Sequence, residues 1–184
     1  MLTEQLFDFL AASPSCYHAV QALAERLERN GYAHLREQDA WALTPGGKYF
    51  VTRNGSSLLS FRVPQGAPAG FLMAAAHTDS PTFKIKHNPE KKAGPYVQLS
   101  TEKYGGMLMA PWFDRPLSVA GRAIVKEGAV LKPVLVNVDR DLCIIPNLAI
   151  HMNRDVNNGI KYNSQKDMIP LFGEIASKDK FEKI

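Results

Sequence analysis

One stretch, Phe71-Leu-Met-Ala-Ala-Ala-His77-Thr-Asp79-Ser80-Pro81, constrains this chain more than any other. Apolar and small residues run without a polar break into a histidine, then an aspartate two places on, then a Ser-Pro stop. A continuous apolar run bounded by turn signals predicts a strand buried on both faces. Polar groups at the end of such a strand lie at the edge of an α/β sheet, where ligands bind. His77 is therefore a candidate metal ligand. A neutral imidazole binds zinc through one ring nitrogen, and its other N–H needs an acceptor that fixes the ring and the tautomer; Asp79 can supply it. The competing reading of the same residues is a capped strand end, with Asp79 bonding the next turn.

The flanking sequence sets that strand in an α/β layer structure. Thr3 is the expected N-cap of a first helix carrying Leu6, Phe7, Phe9 and Leu10 on its apolar stripe. Ser13-Pro14-Ser15 breaks it and starts a second, with Ala19, Val20, Leu23, Ala24 and Leu27 at helical spacing and Asn30-Gly31 as its stop. His18, in the first turn of that helix, reads as a helix-face residue. Residues 48–53 and 57–63 flank Asn54-Gly55, a dipeptide that favours a tight hairpin. Past Pro81, residues 82–86 alternate as a half-buried strand. Residues 88–95 read as a polar loop and a domain boundary. Strands are expected at 96–100, 118–126 and 129–138, the last two joined through Glu127-Gly128. Residues 144–152 are apolar apart from Pro146-Asn147, residues 153–163 form an Asn-rich loop, and residues 167–177 read as a helix with Pro170 in its first turn.

Charge and cysteine usage remove several classes of function. The net charge of +4 is mild and its basic residues are scattered. The densest group, Lys84, Lys86, Lys91 and Lys92, is explained by a solvated loop, so nucleic acid is not an expected partner. Cys16 and Cys143 have neither metal nor redox spacing and fit reduced thiols of a cytoplasmic protein. No apolar run approaches membrane-spanning length, and the first residues lack the pattern of a signal peptide.

A single histidine does not hold a catalytic metal, since a hydrolytic zinc site takes about three protein ligands. The remaining candidates are Asp114, Asp139, Asp141, His151 and Asp155. Trp112-Phe113 beside Asp114-Arg115 reads as packed aromatics with a local ion pair. His151, alone on an apolar stretch, reads as a satisfied core histidine.

Taken together, the motifs resemble the aspartyl aminopeptidase family of metallopeptidases. The residues that carry the resemblance are Phe9-Leu-Ala-Ala-Ser-Pro-Ser-Cys-Tyr-His-Ala-Val20, Ala75-Ala-His-Thr-Asp-Ser-Pro81, Tyr104-Gly-Gly, Trp112-Phe-Asp-Arg115, Leu117-Ser-Val-Ala-Gly-Arg122 and Ile145-Pro-Asn-Leu-Ala-Ile-His151. The resemblance implies an α/β catalytic domain, begun by residues 1–86, followed by an inserted β-rich dimerisation domain in residues 87–184, both incomplete. It implies a hydrolase with two divalent ions, usually zinc, that releases N-terminal Asp or Glu from peptides, and a homo-oligomeric assembly. His77 matches a metal ligand and Asp79 the residue that orients it. His151 matches a histidine that reaches a neighbouring subunit's site, as a substrate contact or a zinc ligand. Asn147 stands where some relatives have another histidine. Family members are considerably longer, and their bridging Asp, Glu pair and last His follow the inserted domain. The resemblance thus implies that this chain alone is inactive; an alternative is a non-catalytic oligomerisation fragment of such an enzyme.

Overall fold

A computed structural model of the chain describes residues 1–176 and residue 181. The first helix, α1 (Leu2–Ala11), is opened by Met1, whose terminal ammonium pairs with the Glu4 carboxylate. That pairing starts the helix ahead of Thr3, which sits inside the first turn and is not the cap. Helix α2 (Cys16–Arg29) begins where expected: the Ser15 hydroxyl accepts the His18 N–H, and Asn30 followed by Gly31 in the left-handed region ends it. Strands β1 (Ala33–Leu35), β2 (Lys48–Arg53) and β3 (Ser57–Arg62) form a sheet in that order, β1 parallel to β2 and β2 antiparallel to β3. Asn54 (φ 53°) and Gly55 (φ 62°) make the β2–β3 turn left-handed at both centres, as that dipeptide allows.

The chain continues through β4 (Thr82–Ala93), β5 (Tyr96–Tyr104), β6 (Pro116–Leu117), β7 (Ala120–Glu127), β8 (Val130–Asn137), β9 (Cys143–Ile144) and β10 (Leu171–Glu174). Short 3-10 turns lie at Ala110–Trp112, Ile150–Met152 and Val156–Asn158. A second, antiparallel sheet has the order β4-β5-β10-β9-β6, and β7 and β8 pair as a two-stranded ribbon. Mixed α/β architecture with strands predominating agrees with the fold class expected from the sequence.

Two compact units result, Met1–Ser80 with Ala120–Asn137, and Pro81–Val119 with Val138–Ile184. The first has its core at Ala19, Val20, Tyr49, Phe50 and Val51, with Phe50 fully buried and stacked on the His34 ring at 4.5 Å. The second is centred on Leu99, Leu142, Ile145 and Met168.

Three segments differ from expectation. Residues 71–76 form no strand: Phe71, Leu72 and Met73 are 92%, 104% and 87% exposed, and the run belongs to no sheet. Among the described residues, no backbone–backbone hydrogen bond involves residues 71–78. An apolar run becomes a strand only when a neighbour satisfies its N–H and C=O groups. Residues 88–93, expected as loop, continue β4 against β5, with a register shift between Ile85 and Glu90 and Asn88 in the left-handed region. The Pro, Gly, Lys and Glu residues there read as a loop, and pairing with β5 beyond the irregularity makes them strand. The helix expected at 167–177 does not form over its described part, and residues 171–174 are β10 instead, since Leu171 pairs with both Gln98 and Ile144. Sheet pairing overrides the local pattern there, and Gly173 is a poor helix former. Ser177 lies outside the described residues.

Candidate metal centre

The His-Thr-Asp segment bends at Thr78 and belongs to no strand, and a spacing of two brings its outer side chains together. His77 and Asp79 meet, Nδ1 to Oδ1, at 2.9 Å. Thr78, between them, donates its hydroxyl to the Ser56 carbonyl in the β2–β3 turn at 2.8 Å. The His77 side chain is 90% exposed and that of Asp79 33% exposed. With the Nδ1–H donated to the carboxylate, the imidazole presents its Nε2 lone pair outward, the arrangement a metal-ligating histidine needs. The strand that was to deliver these residues is absent, yet the pair forms as expected.

The other candidates belong to the second unit. Asp114, with φ 56°, accepts the Asn147 N–H at 2.9 Å, so its carboxylate is committed to closing a loop. Asn147 in turn accepts the Leu148 N–H through its own Oδ1. No ion pair joins Asp114 to Arg115 among the described residues; Arg115 reaches the Pro111 carbonyl at 3.4 Å. The aromatics do pack, Trp112 edge-on to Phe83 at 5.0 Å and Phe113 tilted on Tyr162 at 5.1 Å. His151 sits in the 3-10 turn Ile150–Met152 and is exposed, so the reading of a satisfied core histidine is corrected. A 3-10 turn of three residues buries none of its side chains. His18 keeps its bland role, its Nδ1 lying 2.7 Å from the Ser15 Oγ of the helix cap.

Among the described residues no three His, Cys, Asp or Glu side chains converge to hold a metal ion. His77 with Asp79 has the chemistry of one zinc ligand and its orienter; the rest of a donor set is not assembled here. Thr78 and Ser56 were missed by sequence reasoning, because their contact joins residues 22 apart in the chain. Among the described residues, no helix is long and apolar enough to cross a membrane.

Compared with known proteins, residues 9–184 match the family described as aminopeptidase I zinc metalloprotease (M18). The chain is 49% identical over 185 residues to a probable M18 family aminopeptidase 2 of Clostridium acetobutylicum, taking in 98% of this chain and 42% of that protein. It is similar to the solved structure of Chaetomium thermophilum mApe1, with a TM-score of 0.84 and 37% identity over 94% of this chain and 40% of that one. It is also similar to the S. cerevisiae mApe1 dodecamer, with a TM-score of 0.74 and 26% identity over 93% of this chain and 38% of that one. The chain thus spans well under half the length of these relatives.

Proposed function

The chain belongs to the M18 family of aminopeptidase I zinc metalloproteases, and from that premise we propose that it contributes His77, oriented by Asp79, to the zinc site of an aminopeptidase. The observation that carries the reading is the 2.9 Å contact between His77 Nδ1 and Asp79 Oδ1. Zinc, when bound, supplies Lewis-acid polarisation of a carbonyl and an activated water. The chain's own part is to keep His77 in the Nδ1–H tautomer, so that Nε2 remains an electron-pair donor. The substrates in this reading are peptides with an N-terminal Asp or Glu, and the motifs shared with aspartyl aminopeptidases support that preference. His151 contributes to a neighbouring subunit's site as a substrate contact or a ligand. Residues 1–86 begin the catalytic domain and residues 87–184 belong to the inserted β-rich domain, although Ala120–Asn137 packs in one compact unit with Met1–Ser80. The protein works in the cytoplasm as a homo-oligomer, in keeping with its likeness to a dodecameric relative.

The test is a chimera joining residues 1–184 to the remaining length of the Clostridium acetobutylicum relative. It is expected to cleave aspartyl and glutamyl anilides in preference to leucyl anilide, and to lose that activity on His77→Ala. Equal cleavage of leucyl anilide would remove the acidic preference, and retained activity in His77→Ala would remove the ligand assignment.

Residues 1–184 by themselves are inactive in this reading, because no three-ligand donor set is assembled among the described residues. Zinc-dependent turnover of an aspartyl anilide by the purified chain, lost on His77→Ala, would overturn it. A second reading, a non-catalytic assembly fragment, is favoured by the apolar surface at Phe71, Leu72 and Met73. Light scattering that finds only monomer would count against that reading.

A further inference from the structure

We propose that Thr78 is a positioning residue, whose hydroxyl pins the His77–Asp79 pair to the β2–β3 turn while Arg122 holds the same turn; the inference rests on the reading of His77 as a ligand. The histidine side of the pair needs an anchor. Among the described residues, residues 71–78 make no backbone–backbone hydrogen bond, Phe71, Leu72 and Met73 are exposed, and the His77 side chain is 90% exposed. Packing therefore does little to orient the ring. Functional groups, however, must be held to within about 0.5 Å by neighbours that are themselves fixed.

Thr78 is suited to this work. Its hydroxyl donates to the Ser56 carbonyl at 2.8 Å. Its β-branch also restricts χ1, so one hydrogen bond fixes both side chain and backbone. Ser56 is a firm support, because its N–H donates to the Arg53 carbonyl at 3.1 Å across the turn. Arg122, on β7, donates from Nη1 to the Asn54 carbonyl at 2.6 Å and to Asn54 Oδ1 at 3.1 Å. Its guanidinium also lies 4.2 Å from the centroid of the Tyr17 ring on α2. A continuous path of contacts thus runs from α2 through Arg122 and the turn to Thr78, all within one unit. If Thr78 merely satisfied its own hydroxyl, the state of the neighbouring imidazole would be indifferent to its removal.

The test is ¹⁵N NMR of the histidine-labelled chain under conditions where the imidazole is neutral, reading the ratio of Nδ1–H to Nε2–H tautomers at His77. Wild type is expected to favour Nδ1–H. Thr78→Val, which keeps the shape and removes the donor, is expected to lower that ratio about fivefold, the factor one neutral hydrogen bond commands. Thr78→Ser is expected to restore it, and Arg122→Gln to lower it by a smaller factor. An unchanged ratio in folded Thr78→Val overturns the proposal; should that variant fail to fold, an unchanged ratio in Arg122→Gln does so. Zinc takes no part in this measurement. Zinc binding by the chimera with the Clostridium acetobutylicum relative, with and without His77→Ala, tests the ligand reading separately, so either can fail while the other stands.

Discussion

The Arg122 guanidinium lies over the Tyr17 ring at 4.2 Å while its Nη1 donates to the Asn54 carbonyl at 2.6 Å, so one side chain ties α2 to the β2–β3 turn. Arg122→Ala removes a cation–π contact of about 0.5–1 kcal/mol and a charged hydrogen bond of about 1.5–3 kcal/mol. Water at this half-buried site replaces part of both. The expected loss is about 1.5–2 kcal/mol, read as a lower urea midpoint at unchanged slope. Arg122→Lys recovers only part, because an ammonium lacks the flat face and the fork.

Two phenylalanines separate core from surface. Phe50 is 0% exposed, and Phe50→Ala is expected to cost about 3–5 kcal/mol through lost burial and a residual cavity. Phe7 is 63% exposed on α1, a helix that buries no residue. Phe7→Ser is expected to stay within about 0.5 kcal/mol. Thermal unfolding of both variants checks the contrast, and comparable losses would mean that α1 packs its apolar stripe in solution.

Burial pushes the Cys143 thiol up to about 11. The thiolate is the reactive form, so at pH 8 only about one part in a thousand of Cys143 is competent to react. Iodoacetamide labelling followed by mass spectrometry is expected to leave Cys143 unmodified at pH 8 and to modify it increasingly toward pH 11. Rapid labelling at pH 7 would show that the Sγ, 3.9 Å from the Leu117 carbonyl, is open to solvent.

Arg53 hydrogen-bonds the Glu37 carboxylate at 2.8 Å and lowers its pKa, and Glu37 raises that of Arg53 in return. A carboxyl whose folded pKa is depressed adds stability above its unfolded value, about 4.3. That stability is lost as pH falls through the lower folded value. Melting temperatures measured from pH 7 down through the acid range should therefore fall less steeply in Arg53→Gln than in wild type. The pair is solvent-exposed, so the difference is small and shrinks in high salt.

Local signals were legible in the sequence wherever the chain decides its own conformation. Ser15 caps α2, Asn54-Gly55 turns the first hairpin, and the ribbon of β7 and β8 closes just after Glu127. The His77–Asp79 contact belongs to the same class, since a spacing of two is enough to bring the side chains together. What needed a distant partner was not legible. Leu171 is a strand residue because Gln98 and Ile144 flank it, far away in sequence. The apolar residues 71–76 carry every mark of a buried strand and lack only the neighbours that make one. His151 looked buried because its sequence neighbours are apolar, yet Leu148, Ile150 and Met152 are exposed beside it.

Those apolar neighbours of His77 give the last prediction. Phe71, Leu72 and Met73 form a contiguous exposed apolar run, and such surface binds hydrophobic dyes and promotes self-association. The triple variant Phe71→Ser, Leu72→Ser, Met73→Ser removes that surface without touching either core. It is expected to leave the urea midpoint unchanged to within about 0.5 kcal/mol, while lowering dye fluorescence and the apparent mass in light scattering. The two readouts move independently, which gives the measurement its force. A destabilisation of about 2 kcal/mol or more would mean the run is packed in solution, returning residues 71–76 to the buried strand their sequence describes. Unchanged self-association at unchanged stability would instead place the associating surface elsewhere, with the exposed Ile124, Val130 and Leu131 of the β7–β8 ribbon next to be tested.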